Sequence, residues 1–203
     1  MLNVAKNKKI NNLFTPQIVF KDSDILLVNK PQGWVTLDVP TFSGNTVQSW
    51  LEQNFDLNEW GLGDKIARQR SGIVHRLDKD TWGLLLIAKT KDVFYYLQKQ
   101  FKERRVKKIY LALVSGNLKG KGEIVAPIDR SAKDSRYFDV VPGGRSAHTI
   151  FQVKNHYQIK GKEYSLVRIR LKTGRTHQIR VHFKYLGHPL FGDPIYGKKE
   201  DVM

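Results

Sequence analysis

His75-Arg76-Leu77-Asp78-Lys79-Asp80-Thr81-Trp82-Gly83 runs straight into Leu84-Leu85-Leu86-Ile87-Ala88. A dense charged run meets a short apolar one across a glycine. An apolar run of this length with a glycine at its edge is the pattern of a buried strand. The charged run then sits at the mouth of that strand, the kind of rigidly held loop that carries most active-site chemistry. The plainer alternative is a solvated turn before a strand, and the pattern alone fits both.

Downstream of this stretch, Thr90 is placed to cap a helix whose apolar residues Phe94, Leu97 and Phe101 follow i, i+3, i+7 spacing. The helix runs into residues 99–108, six of which are basic. Ile109 to Val114 reads as a strand, and Glu123 to Ile128 as another that ends near Pro127. Val140-Val141 and Ala147 to Val153 flank Pro142-Gly143-Gly144, which predicts a hairpin. Residues 163–172 form the most regular strand. Val167, Ile169 and Leu171 alternate with Arg168, Arg170 and Lys172, which puts three cations on one face. Thr176 is then a candidate cap for a helix carrying Ile179, Phe183 and Leu186, stopped by Gly187 and Pro189.

Upstream, Ile18-Val19-Phe20 and Ile25 to Asn29 predict a hairpin across Lys21-Asp22-Ser23-Asp24. Thr46 is a candidate cap for a helix with Val47, Trp50 and Leu51 on its apolar face. Residues 56–74 are polar and glycine-containing and are expected to form a loop. Many strands and about three helices, without regular βα alternation, imply an α+β fold with a mixed, largely antiparallel sheet and flanking helices. Residues 1–17 are expected to be a flexible basic arm and residues 18–203 a single catalytic domain.

The charge balance narrows the partner. There are 35 Lys+Arg against 19 Asp+Glu, a formal net charge of +16. Such a surplus points to a polyanion, most often nucleic acid. No basic amphipathic helix with a large apolar face argues for a membrane surface instead. Cysteine is absent, which excludes disulfides, thiolate metal sites and cysteine nucleophiles. No apolar stretch approaches the roughly 18 residues of a membrane span. The basic residues near the start are not followed by the apolar segment of a secretory signal. A cytoplasmic protein is expected.

Asp78 is the first candidate for chemistry. A carboxylate next to an apolar strand is partly desolvated, which raises its pKa, and a neighbouring cation lowers it again. An ionised carboxylate held in this way suits a nucleophile. Asp78 could equally cap a turn, and Asp80 is a rival. Tyr110 follows the basic run, and an aromatic beside cations can stack on a base while the cations take phosphates. It could as well be a half-buried strand tyrosine. Six histidines invite a metal reading, but His177 and His182 lie roughly 140° apart on a helix and no H-E-x-x-H pattern exists. A zinc deaminase is disfavoured because H-x-E with P-C-x-x-C is missing. No metal is expected. No glycine-rich phosphate loop suggests a nucleotide cofactor.

Three segments together resemble the RluA-type pseudouridine synthases. They are Asp24 to Gly33 (DILLVNKPQG), His75 to Leu86 (HRLDKDTWGLLL), and Thr173 to His182 (TGRTHQIRVH) continued by Gly187-His188-Pro189 and Gly192 to Gly197 (GDPIYG). The Lys107 to Val114 strand is similar as well. The resemblance implies a pseudouridine synthase-like fold and isomerisation of uridine to pseudouridine in ribosomal or transfer RNA, with no cofactor and no metal. It implies that Asp78, rather than Asp80, is the catalytic carboxylate. It places the aromatic partner of the target base at Tyr110 and the cation that pairs with the carboxylate at Arg180. Arg76 matches the arginine that enters the space left by the flipped nucleotide. Trp82 departs from the family's small serine. Family members usually continue with at least one more strand, so the domain is expected to be C-terminally short. Without a separate RNA-binding domain before residue 18, target recognition would fall to the catalytic domain, acting as a monomer. The rival expectation is a non-catalytic RNA-binding or RNA-folding protein on the same scaffold. A carboxylate turned towards RNA argues against that rival, because it repels phosphate.

Overall fold

The computed structural model describes residues 14–134, 136–198 and 201. The chain divides into two compact units, Met1–Arg105 and Val106–Met203. Most of the expected basic arm, residues 1–13, lies outside the described residues, and strand structure already begins at Gln17.

The first unit holds β1 (Gln17–Lys21), β2 (Ile25–Lys30) and β3 (Gly83–Ala88), paired antiparallel in that order. The expected hairpin forms because Asp22 accepts backbone bonds from Asp24 and Ile25, both at 2.8 Å. Those amides hold its carboxyl below the usual range. Alternation along β2 sends Leu26, Val28 and Lys30 inward, each 0% exposed. Leu26 and Val28 pair with Ile87 and Leu85 of β3, so the apolar run after Gly83 is a buried strand as its pattern predicts. Burying such a side chain contributes roughly 1.5–3 kcal/mol.

Three helices accompany this sheet. α1 (Val47–Asn54) is capped by Thr46, whose hydroxyl accepts from Ser49 N at 3.0 Å. α3 (Lys91–Lys102) is capped by Thr90 and buries Phe94. Between them, the segment expected to be a loop contains α2 (Lys65–Gln69), capped by Asp64. Five residues with only Ala67 buried give almost no periodic signal, which is why the pattern conceals α2. Gly72 then passes so close to β3 that an added Cβ would lie 2.1 Å from Ala88 O. Only glycine lets Ile73 bridge to Ile87 there.

The second unit holds β4 (Lys108–Ser115), β5 (Lys121–Val125), β6 (Ile128–Arg130), β7 (Phe138–Val140), β8 (His148–Ile159), β9 (Lys162–Leu171) and α4 (Gln178–Tyr185). Four strands form a sheet in the order β4-β9-β8-β5, and β6 pairs with β7. Val167 and Ile169 of β9 are fully buried against Val114, Phe151 and Phe183, while Arg168 and Arg170 are exposed on the other face. Among the described residues every pairing of these strands is antiparallel, in agreement with the expected α+β class.

Three local expectations are corrected. The strand predicted over Glu123 to Ile128 is two strands, because Pro127 has no N–H to continue the ladder. The turn at Pro142-Gly143-Gly144 forms, with Gly144 N bonded to Val141 O at 3.0 Å, but it does not join a hairpin. β7 pairs with β6, and β8 pairs with β5 and β9. The hairpin is β8–β9, closed by Lys160-Gly161 with φ of 49° and 77°. Two central residues at positive φ are what a two-residue turn between twisted strands requires. Finally, Thr176 does not cap α4. His177 is the cap residue, at φ 53°, and its side chain makes no capping bond. The preceding turn is tied instead by Gln178, whose Oε1 accepts from Thr173 Oγ1 at 2.7 Å and Arg175 N at 3.0 Å.

Candidate active site

The loop between Leu77 and Thr81 is fixed by its backbone. The Thr36 hydroxyl donates to Leu77 O at 2.8 Å and accepts from Leu77 N at 3.1 Å. Gly33 N donates to Lys79 O at 2.9 Å. The Lys30 ammonium donates to Pro31 O, Trp34 O and Lys79 O at 2.9, 2.8 and 3.0 Å. Thr81 N closes a turn on Asp78 O at 3.1 Å. The chain is thus pinned on both sides of Asp78, whose side chain is half-buried. A carboxylate on such a loop has a direction set by the scaffold rather than by its own contacts.

Lys30 is the residue that sequence reasoning missed. Burial pushes its ammonium down to about 8, while the charges of Asp80 and Asp78 pull the other way. A fully buried cation therefore lies within electrostatic reach of both carboxylates. Its signal was present in the alternation of β2, where Leu26, Val28 and Lys30 occupy one face.

His75 and Arg76 open the same loop. His75 Nε2 accepts from Leu86 N at 3.0 Å, which assigns the proton of a neutral ring to Nδ1. The ring stacks on Phe101 of α3, with centroids 4.6 Å apart. Arg76 is exposed, and so is Trp82 at 58%. Trp82 therefore does not fill the entrance of β3.

In the second unit, Tyr110 lies on β4 opposite Ile169, half-buried against the sheet core. Arg180 projects from α4 and is gripped by Asp193 through two parallel bonds, Nε to Oδ2 and Nη2 to Oδ1, both 2.7 Å. Both side chains are nearly buried, at 12% and 3%. Such a fork-to-fork pair fixes direction as well as distance. Asp193 Oδ1 also accepts from Ile195 N and Tyr196 N, at 2.9 and 3.0 Å. Burial alone would raise the Asp193 pKa, but the Arg180 donors and these amides outweigh it and hold the carboxyl below its usual value. The guanidinium lies over the Tyr196 ring, 4.9 Å from the centroid. The Tyr196 hydroxyl in turn accepts from Phe138 N at 3.0 Å and meets His177 Nδ1 at 2.9 Å.

The structure thus places Arg76 and Asp78 on one loop of the first unit, pinned by Lys30 at the end of β2, and Tyr110 and Arg180 on the second unit. Asp193 and Tyr196 belong to the Gly192 to Gly197 segment, whose short polar turn hid a buried carboxylate. Among the described residues, no group of three His, Asp or Glu side chains is arranged to hold a metal. His182, for example, is fully buried, with Nδ1 on Thr149 Oγ1 at 2.8 Å and Nε2 on Ala126 O at 3.0 Å. Among those residues, no helix is long and apolar enough to cross a membrane.

Comparison with known proteins connects this geometry to chemistry. The profile of the family described as RNA pseudouridylate synthase matches residues 24–185. The chain is 41% identical over 187 residues to a Bacillus subtilis (strain 168) protein named "Uncharacterized RNA pseudouridine synthase YlyB", covering 91% of this chain and 59% of that one. It is 38% identical over 183 residues to the ribosomal large subunit pseudouridine synthase D of Borreliella burgdorferi, covering 89% and 54%. The structure named human RNA Pseudouridylate Synthase Domain Containing 1 superposes with a TM-score of 0.75 at 29% identity, covering 93% of this chain and 72% of that one. The chain therefore spans little more than half the length of these two curated relatives.

Proposed function

This chain belongs to the RNA pseudouridylate synthase family, and on that basis we propose that it isomerises uridine to pseudouridine in ribosomal or transfer RNA, with Asp78 as the catalytic carboxylate. The observation that carries the choice of Asp78 is the loop around it. Lys30, Gly33 and Thr36 hold the backbone on both sides while leaving the carboxylate half-buried.

The reaction needs little more than positioning and charge. A stacked uridine is out of reach, so the nucleotide is flipped out of its stack. Arg76, exposed on the Asp78 loop, is suited to fill the space it leaves. The bond between the ribose and uracil N1 breaks, the uracil turns, and a carbon–carbon bond forms at C5. The C5 proton is lost and N1 gains one, so no net oxidation occurs. Asp78 acts at the sugar as a nucleophile or as a base, and both routes need it ionised. Family likeness assigns the role of its cationic partner to Arg180 and that of holding the face of the base to Tyr110. Water must be excluded while the glycosidic bond is open, or hydrolysis competes. The ribosomal choice of substrate is supported by the name of the Borreliella burgdorferi relative. The cytoplasm is the proposed compartment.

Replacing Asp78 with Ala tests the reading. Pseudouridine formation in bulk RNA should fall below detection while RNA binding persists. Wild-type protein that forms no pseudouridine in any cellular RNA overturns the proposal.

A further inference from the structure

Arg70 stands at the C-terminal end of α2, six residues before Arg76 on the segment leading to the Asp78 loop. It is half-buried, and its buried Nε has no hydrogen-bond partner among the described residues. A buried polar N–H without an acceptor is costly, and buried arginines are ordinarily paired. A second charge adds to that cost. Arg76 is close enough for like-charge repulsion to join burial in lowering the Arg70 pKa.

Three carboxylates of the same unit are engaged elsewhere. Glu52 accepts from the Ser71 hydroxyl at 2.6 Å. Asp64 accepts from the amides of α2 itself. Glu103 is shared by Lys99 and Arg105. Neither Arg70 nor Arg76 is within ion-pair distance of a carboxylate among the described residues. Two neighbouring guanidiniums with no counter-charge among the described residues match an anion with several acceptor oxygens, and a phosphodiester suits a guanidinium. Val74, between them in sequence, lines an open groove with Tyr95, Gln98, Lys99 and Lys102 of α3 and with Glu103, whose carboxylate is paired with Lys99 and Arg105. That groove offers adjoining nucleotides an aromatic ring and two more cations.

We infer that Arg70 forms a binding site for a backbone phosphate of RNA, on the segment that leads to Arg76 and the catalytic loop. The inference rests on the proposed action on RNA and names where the substrate backbone is held. Arg70 supplies a pre-placed charge that has no ion-pair partner among the described residues.

The test uses the full chain, wild type and Arg70→Gln, with a synthetic uridine-rich hairpin RNA and separately with inorganic phosphate. Arg70→Gln should weaken RNA binding about tenfold at low salt. It should also flatten the plot of log Kd against log salt by about 0.7–0.9, the share of one phosphate contact. Its melting temperature should equal or exceed that of the wild type, because a desolvated like-charge contact is gone. Arg70→Lys keeps the charge and should retain the wild-type salt slope. Inorganic phosphate, compared with chloride at matched ionic strength, should raise the melting temperature of the wild type more than that of Arg70→Gln. A lowered melting temperature with unchanged salt slope and affinity would make Arg70 a structural residue and overturn the inference. If the wild type binds no RNA, the proposed substrate fails. The phosphate comparison then decides the anion site independently, and an equal response of both proteins sinks it.

Discussion

Lys30 and Asp193 are opposite solutions to burying a charge. Lys30 has no carboxylate in contact among the described residues and is satisfied by three carbonyls, and one of those, Lys79 O, belongs to the residue after Asp78. Replacing Lys30 with Met keeps the length and removes the donors. The variant should lose about 2–4 kcal/mol, since several buried acceptors are orphaned at once. Because the folded pKa is about 8 against 10.5 when unfolded, the unfolded state binds more protons between those values. The stability of the wild type relative to Lys30→Met should therefore rise as pH climbs from about 8 towards 10.5, and should be flat below about 8, where both states are protonated. Urea unfolding of both proteins across that window measures it, and a pH-independent gap contradicts the assignment. Asp193 is instead matched bidentately to Arg180. Asp193→Asn should cost about 3–5 kcal/mol because it strands a nearly buried guanidinium. With its pKa held below the usual carboxylate value, the advantage of the wild type should be full above about pH 4 and should fade as pH drops through the folded pKa. If Arg180 serves Asp78, kcat should fall in this variant more than KM rises.

Helix ends show where local sequence rules succeed and where tertiary bonds override them. Thr46 and Thr90 cap helices as their positions predict, with hydroxyls 3.0 and 3.3 Å from Ser49 N and Val93 N. Thr176 has the same outward credentials but is displaced by His177 in the left-handed region, because Gln178 ties the loop from inside the helix. Thr90→Ala should therefore cost about 1 kcal/mol, whereas Thr176→Ala should change stability by less than about 0.5 kcal/mol. Equal losses in thermal or urea melts would contradict the structure. The same contrast explains what was legible. β2, β3, β9 and α3 announce themselves because their apolar periods report burial directly. The pairing of β7 with β6 was hidden because a proline-glycine turn specifies a reversal of the chain without naming its partner. At the candidate site, the motif residues were nominated by family likeness. Their supports, Lys30 and Asp193, were not, because a buried lysine or aspartate looks like a surface residue until its partners are known.

The charge is unevenly divided along the chain. Residues 1–105 carry 16 Lys+Arg against 11 Asp+Glu, a net of +5, and residues 106–203 carry 19 against 8, a net of +11. The second unit also displays a strand whose alternation sets cations apart, with Arg168 and Arg170 exposed over a core of Val167 and Ile169. On the same face, Arg168 and Arg170 stand opposite the exposed Leu111 and Ile109 of β4. Such a surface is suited to phosphates, which carry affinity but little sequence information. Replacing both arginines with Gln should weaken RNA binding and flatten the salt slope by about 1.4–1.8 if each contacts one phosphate. The loss should be the same for RNAs of different sequence, measured by titration at several salt concentrations. Fold stability should hardly change, because neither arginine lies in the core. A loss confined to one sequence would mean that these side chains read bases, and an unchanged slope would mean that the bulk of the +11 charge acts on RNA elsewhere.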